Sequence, residues 1–282
     1  MNKIIGVVGV GTMGTGIAQV FAQSGYTVLF KGRSDSSIDK SIGKINKSLS
    51  KQVEKGKMEE ERKQEILNNI KKTLSYEDLK DVDLVVEAVL EDIKLKEEVF
   101  NELNKICKPE TIFATNTSSM SITEIGKHSG RPDRFCGLHF FNPVPVMKLV
   151  EVIYGMKSTE ETIEKILEYI LSLGKTPVEV KKDSPGFIVN RLLIPYMNEA
   201  ARLLAEGVAS VEDIDTAVKL GLNYPMGPFQ MLDFGGIDLS ITISEYFKEE
   251  FNDLSYAPQP ILKQMVRAGK TGAKSGEGFY KY

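Results

Sequence analysis

The sequence predicts an α/β protein in which a doubly wound, mostly parallel sheet is followed by an all-α C-terminal domain. Three observations predict it. An apolar run, Ile4, Ile5, Val7 and Val8, leads into a turn with Gly9, Gly11 and Gly14 and then into a helical pattern over 16–22. Short apolar runs then alternate with amphipathic stretches as far as residue 181, the order that builds a parallel sheet covered by helices. At Asp183-Ser-Pro-Gly186 the pattern breaks, Pro185 and Gly186 punctuate, and no strand-like run follows. Residues 1–183 are therefore expected to form the sheet domain and 184–282 the helical one.

The composition suits such a protein. A length of 282 residues suggests two domains, and 41% hydrophobic with 27% charged residues is ordinary for a globular chain. A net charge of -3 favours neither nucleic acid nor a membrane surface. Two cysteines, Cys107 and Cys136, make no disulfide framework and point to a reducing cytosol, so a cytoplasmic protein is expected. The first strand begins by Ile4, which leaves no room for a signal or transit peptide. No apolar run approaches the roughly 20 residues of a membrane span.

Taken in order, the first strand, turn and helix read G-x-G-x-x-G over 9–14 in the strand-to-helix context that gives the motif meaning. Gly9 permits the tight turn, Gly11 lets backbone approach a pyrophosphate, and Gly14 lets helix and strand pack closely. The helix start, with Thr12 and Met13, turns its N–H groups and positive end toward the phosphates. This is a Rossmann-like dinucleotide site. Gly25 ends the helix, and 26–31 read as the second strand. An NAD site calls for Asp or Glu at that strand's end, about 20 residues past the glycines. Here the strand ends Lys31-Gly32-Arg33-Ser34, with no carboxylate. Arg33 and Ser34 as donors, with charge from Lys31, make a phosphate site instead, so NADP(H) is favoured and NAD(H) possible. The alternative is that Arg33 stacks on adenine and Asp35 takes the acidic role. Asp35 is better placed as a cap or first-turn residue of the next helix.

Residues 38–72 read as a long helical hairpin interrupted near Gly56. Lys44, Lys47, Lys51 and Lys55 recur at helical spacing and share a face with Ser48. That face is either simply solvated or holds the phosphates of a large anionic substrate. Residues 57–72 resemble an exposed return helix. Further strands are expected at 83–89, 111–115, 135–140, 148–153 and 176–181, with helices at 91–106 and 158–173. Ligands of such sheets bind beyond the carboxyl ends of the strands. Asn116, Ser118, His139 and Asn142 fall at or just past such ends. Helices at 187–206, 211–220, 228–234, 238–251 and 260–268 make up the second domain, which is also the expected self-association surface.

The chain has two histidines. His128 lies in a polar loop and reads as solvated. His139 follows an apolar strand, and Glu151 stands in the next one, Leu149-Val-Glu-Val-Ile153. A carboxylate in so apolar a run needs a partner, and a histidine supplies one. The carboxylate in turn fixes the imidazole's orientation and favours its charged form. A nicotinamide enzyme that interconverts alcohol and ketone needs one such acid–base for the oxygen's proton. No metal is called for.

The residues also carry a family resemblance. G-x-G-x-x-G at 9–14, Asn-Thr-Ser-Ser at 116–119, His-Phe-Phe-Asn-Pro-Val-Pro-Val-Met-Lys-Leu-Val-Glu-Val at 139–152, Ser-Pro-Gly-Phe-Ile-Val-Asn-Arg at 184–191, Tyr-Pro-Met-Gly-Pro-Phe at 224–229 and Lys-Ser-Gly-Glu-Gly-Phe-Tyr at 274–280 together resemble the L-3-hydroxyacyl-CoA dehydrogenases over nearly the full length. The free-standing size, without a hydratase domain, is similar to the bacterial members of butyrate formation. The resemblance implies reversible reduction of acetoacetyl-CoA to (S)-3-hydroxybutyryl-CoA, or a wider range of chain lengths with NAD. It implies that His139 is the general acid–base and Glu151 its orienting partner. Ser118 and Asn190 match substrate-oxygen contacts. Asn142, Glu91, Lys96 and Lys274 match cofactor contacts, and Ser48 and Lys55 match contacts to coenzyme A. It also implies a homodimer formed through the helical domain. The departure is at Gly32, where the family usually has Asp.

Two other readings compete. A dehydrogenase of free β-hydroxy acids, by resemblance to that family, would carry a lysine acid–base on the second domain's first helix, and 187–206 contain no lysine. A non-catalytic protein on the same scaffold is the other, since fold does not fix function. The set Ser118, His139, Glu151 and Asn190 argues against it.

Overall fold

The structure is a computed structural model and describes residues 3–282. Two compact units divide the chain, the first ending at Ser184 and the second running Pro185–Tyr282. In the first unit the chain runs β1 (Ile4–Val8), α1 (Thr12–Gln23), β2 (Thr27–Lys31), α2 (Asp35–Glu54), α3 (Glu60–Asn68), β3 (Ile70–Thr73), β4 (Leu84–Glu87), α4 (Ile93–Ile106), β5 (Ile112–Thr115), α5 (Ile122–Lys127), β6 (Phe135–Phe140), β7 (Leu149–Tyr154), α6 (Glu160–Ser172) and β8 (Thr176–Val180).

Among the described residues, eight strands form one sheet in the order β3-β2-β1-β4-β5-β6-β7-β8. The ladders from β3 to β6 are parallel, β6–β7 is antiparallel, and β7–β8 is parallel again. Every residue of β4 and β5 is buried, which explains why these strands read as unbroken apolar runs rather than alternating ones. Ile17, Ala18, Phe21 and Ala22 of α1 join Val7, Val28 and Phe30 in one core. Each of the Val, Ile and Phe side chains among them, fully removed from water, contributes about 1.5–3 kcal/mol. The chain leaves β1 for β2 on one side and reaches β4 on the other. The strand order therefore reverses between β1 and β4, where open sheets of this kind leave a crevice at their carboxyl edge.

Two polar fastenings hold this sheet from below. Asp83, just before β4, accepts from the Ile4 amide at 2.8 Å and from Lys108 Nζ at 2.7 Å. Burial pushes its carboxyl upward, but Lys108 and the amide outweigh that and hold it below the usual carboxylate range. Arg131 is buried beside the end of α4. Its guanidinium donates to the carbonyls of Lys108, Thr111, Asn104 and Cys107 and to Asn104 Oδ1, and it lies 4.4 Å from the Phe113 ring centroid. A cation at a helix C-terminus meets the negative end of its dipole. Both cysteines are reduced and buried, and burial raises the Cys107 thiol to about 11.

Residues 57–72 differ from the expected return helix. Gly56 turns the chain at φ 65°, α3 is short, and Ile70–Thr73 is an edge strand paired to β2. Its exposed Lys71 and Lys72 hid it, because charge is how edge strands are kept from pairing further. The short helix α5 was also not foreseen.

The second unit consists of α7 (Val189–Ala205), α8 (Val211–Gly221), α9 (Pro228–Gly235), α10 (Ile237–Phe251) and α11 (Pro260–Arg267) around Ile194, Ala201, Phe229, Leu232 and Phe247. Two buried carboxylates organise it. Asp215 of α8 accepts from the Phe229 and Gln230 amides at the start of α9 and from the Tyr280 hydroxyl. Asp233 of α9 accepts from the Phe279 and Tyr280 amides and the Tyr282 hydroxyl. A β-carbon on Gly227 would lie 2.3 Å from Asp215, and one on Gly278 would lie 2.0 Å from Asp233 Oδ1. Gly227 and Gly278 are thus there to admit the two carboxylates.

Candidate active site

The turn after β1 has the shape that a dinucleotide requires. Gly9 has φ 114°, which favours glycine, and a β-carbon there would lie 2.3 Å from the Ala88 carbonyl oxygen. One on Gly14 would lie 1.9 Å from the Gly9 oxygen. Around Gly11, by contrast, nothing lies within 4 Å of that position. The exposed backbone at Gly11 opens onto the space a phosphate would take. The helix behind it has Gly11 as N-cap, no side-chain cap and no acidic residue in its first turn. Its positive end is left for an anion. The residues present fit a dinucleotide.

At the end of β2, Gly32 is buried, while Arg33, Ser34 and Asp35 are exposed. Ser34 is the N-cap of α2 and accepts from the Ser37 amide, and Asp35 is in the first helical turn. Lys31 corrects an expectation. It is only 8% exposed, its ammonium lies 4.2 Å from the Tyr76 ring centroid, and it donates to the Gly32 carbonyl. Its charge is turned inward, and burial holds its pKa below the usual lysine value.

Past β4, a buried polar chain builds the rim. Glu87, fully buried at the end of the strand, accepts from Lys96 Nζ at 2.9 and 3.0 Å, from Thr115 Oγ1 at 2.6 Å and from the Val89 amide at 2.6 Å. Lys96, also fully buried, reaches Glu91 at 3.3 Å. Glu91 accepts in turn from the Thr117 hydroxyl and from the Ser118 amide at 3.1 Å. This chain fixes the loop that presents Ser118, which is exposed. Glu87 was not singled out in the sequence, although a carboxylate in an apolar run is the same signal that marked Glu151.

On β6, Asn116 Oδ1 accepts from the Phe140 amide at 3.1 Å and ties the end of β5 to the residue after His139. His139 pairs with Glu151 across the antiparallel ladder. Its Nδ1 lies 2.6 Å from Glu151 Oε2, and both side chains are buried. The His139 and Phe141 ring centroids are 4.4 Å apart. The loop 141–148, with exposed Asn142, is pinned from two sides. Lys175, just before β8, donates to the Val144 and Met147 carbonyls at 2.6 and 2.7 Å. Val144 also packs so tightly on α1 that a β-carbon on Gly16 would lie 2.7 Å from it. Nothing in the sequence marked Lys175.

The other expected site residues stand as follows. Ser48 of α2 is half-buried, with Gln19 Nε2 3.4 Å from its hydroxyl. Lys44, Lys47, Lys51 and Lys55 are all exposed, opposite the buried Ile38, Ile45 and Leu49. Asn190 is half-buried in the first turn of α7. Lys274 is ion-paired to Asp238 at 2.6 Å within the second unit. His128 is not simply solvated, since its Nε2 lies 2.9 Å from Glu97. Among the described residues no cluster of His, Cys, Asp or Glu is placed to hold a metal ion, and no helix is long and apolar enough to cross a membrane.

Comparison with known proteins agrees in both units. The family model described as the 3-hydroxyacyl-CoA dehydrogenase NAD binding domain matches residues 4–184, and that of the C-terminal domain matches 186–282. The chain is 49% identical over 278 residues to a 3-hydroxybutyryl-CoA dehydrogenase of Clostridioides difficile, covering 99% of each. It is 47% identical over 288 residues to the mitochondrial hydroxyacyl-coenzyme A dehydrogenase of Homo sapiens, covering 99% of this chain and 91% of the other. Its fold matches the crystal structure of the (S)-3-hydroxybutyryl-CoA dehydrogenase of Ralstonia eutropha with a TM-score of 0.97 at 42% identity, covering 100% and 99% of the two chains.

Proposed function

The chain belongs to the 3-hydroxyacyl-CoA dehydrogenase family, and from that premise we propose that it reversibly reduces acetoacetyl-CoA to (S)-3-hydroxybutyryl-CoA with NADPH as the preferred reductant. The observation that carries the reading is the buried His139–Glu151 pair next to the Ser118 loop. Glu151 engages Nδ1, so the proton is exchanged at Nε2. In reduction the imidazolium gives that proton to the alkoxide forming at C3. In oxidation the neutral ring takes it from the hydroxyl. Glu151 holds the ring in place in both directions. Ser118, on a loop already fixed by Glu91, polarises the keto oxygen without reorganising. A nicotinamide dinucleotide supplies or accepts the hydride when bound.

The residues that would hold that cofactor are Gly9, Gly11, Thr12, Met13 and Gly14 at the pyrophosphate and Gly32, Arg33 and Ser34 at the adenosine ribose, with Glu91, Asn116, Ser118 and Asn142 as further contacts and the fully buried Lys96 acting through Glu91. NADP(H) is favoured because 31–34 carry no carboxylate and Arg33 and Ser34 are exposed. Ser48 and Lys55 are assigned to coenzyme A, whose phosphates suit the exposed lysines of α2. The short acyl chain follows the relatives that share nearly the full length and bear the hydroxybutyryl name. A homodimer through the helical unit accounts for its exposed apolar side chains, among them Leu220 at 81% and Phe234 at 63%.

The test is a rate matrix of NADPH and NADH against acetoacetyl-CoA and longer 3-ketoacyl-CoA substrates, followed by absorbance. The highest kcat/KM is expected for NADPH with acetoacetyl-CoA. Equal or better turnover with NADH overturns the cofactor reading. Faster turnover of long chains overturns the substrate reading.

A further inference from the structure

We propose that Ile38 and Lys72 set the cofactor preference at the end of β2, Ile38 by closing the space a carboxylate at position 32 would need, Lys72 by neutralising the carboxylates that remain nearby. This rests on the NADP(H) reading above and names the side chains responsible for it.

In dinucleotide-binding sheets the adenosine ribose lies against the end of the second strand, where an acid recognises the 2′-hydroxyl and repels a 2′-phosphate. Position 32 is that place. Gly32 is buried and its amide is bonded to the Thr73 carbonyl at 3.2 Å. It is not among the positive-φ glycines, so its backbone conformation does not exclude a side chain. The obstacle is packing. A β-carbon on Gly32 would lie 2.5 Å from Ile38 Cγ1, 3.2 Å from Ile38 Cδ1 and 3.1 Å from Val10 Cγ1. Ile38 is fully buried on α2, and a β-branched side chain in a helix has essentially one χ1 rotamer. Its Cγ1 cannot swing aside. Ser41, one turn further on, bonds the Val10 carbonyl at 2.8 Å and holds α2 against the glycine turn. The helix cannot easily retreat either.

The nearest acids along the chain are Asp35 and Asp39, both exposed on α2. Lys72, from the edge strand β3, lies 3.5 Å from Asp35 and 3.2 Å from Asp39. Such exposed pairs add little to stability. Their effect falls on a bound ligand. With Lys72 in place the surface around Arg33 carries a balanced charge, and the guanidinium is left to act on a phosphate. Without it two carboxylates would weigh against one.

The experiment is a double-mutant cycle with NADPH and NADH dissociation constants and thermal midpoints as readouts, on wild type, Gly32→Asp, Ile38→Ala and the double variant. Gly32→Asp alone is expected to weaken NADPH binding and lower the midpoint without improving NADH. In the Ile38→Ala background the same change should lower the midpoint less and improve NADH binding at least about tenfold over the single variant. If Gly32→Asp alone gains NADH binding as well as the double variant does, Ile38 has no such role. Lys72→Met, a surface change that leaves the core intact, should lower the NADPH-to-NADH affinity ratio about threefold or more. An unchanged ratio removes Lys72 from the proposal. A wild-type protein that binds NADH as tightly as NADPH overturns the NADP(H) reading itself, while the Gly32–Ile38 coupling still decides what Ile38 does.

Discussion

His139 and Glu151 stand directly opposite one another in the antiparallel ladder of β6 and β7, with Nδ1 and Oε2 2.6 Å apart. Their spacing is set by backbone pairing rather than by a loop. Exchanging Glu151 for Gln keeps the shape and removes the charge. Glu151→Gln is expected to lower kcat by about 10²-fold or more, and His139→Gln by about 10²–10⁴-fold. Cofactor affinity, measured by fluorescence titration, should stay within about twofold, since neither change removes a binding contact assigned to the dinucleotide. Turnover near the wild-type rate in either variant would remove the pair from the mechanism.

Lys175 holds the loop that carries Asn142 by two backbone carbonyls. Burial, with Lys148 adding to it, holds the Lys175 pKa below the usual value, yet the carbonyls of Val144 and Met147 depend on its donors. Lys175→Met leaves both carbonyls without this donor, at a cost of about 1–3 kcal/mol. The thermal midpoint should fall by several degrees. The KM for the nicotinamide cofactor should rise more than kcat falls, because the loop rather than the acid–base is loosened. A drop in kcat alone would contradict this.

Gly278 admits the Asp233 carboxylate, and a methyl group there has no room. Gly278→Ala should destabilise the helical unit by about 2–4 kcal/mol through overpacking and disturbance of buried hydrogen bonds. Denaturant unfolding followed by circular dichroism measures it. The exposed Gly207, which has nothing within 4 Å of its β-carbon position but a φ of 70°, is a useful comparison: alanine there should cost only about 1 kcal/mol of backbone strain.

Acid should weaken the Asp83 fastening. Its carboxyl sits below the usual range in the folded state, so the stability it contributes is present above the ordinary carboxylate value near 4 and is lost as pH falls through the lower folded value. Asp83→Asn should cost about 1–2 kcal/mol at neutral pH. In urea titrations repeated at falling pH, the gap between wild type and variant should narrow. A constant gap would mean that the charge of Asp83 does not matter.

Much of the first unit was legible in the sequence because its strands are short apolar runs bounded by glycine and polar turns, as at Ile4–Val8 and Leu84–Glu87. The sequence also put His139 and Glu151 together, since an isolated carboxylate in Leu149–Tyr154 demanded a partner. Two kinds of feature escaped. Ile70–Thr73 carries lysines where an edge strand faces solvent, so its pattern matched the helix before it. In the sequence Lys31 reads as charge for a phosphate site and Lys175 as an ordinary surface lysine. Only the folded chain shows that one rests on Tyr76 and the other on two carbonyls.

The guanidinium of Arg131 is neutralised by a helix end and an aromatic face instead of by an acid. An arginine keeps its proton at any ordinary pH, and carbonyl oxygens have nothing to titrate. That joint between α4 and the sheet is therefore acid-proof, whereas the one at Asp83 dissolves with protonation. Acidification should open the protein unevenly, with amide exchange rising first where β1 begins and last around Phe113.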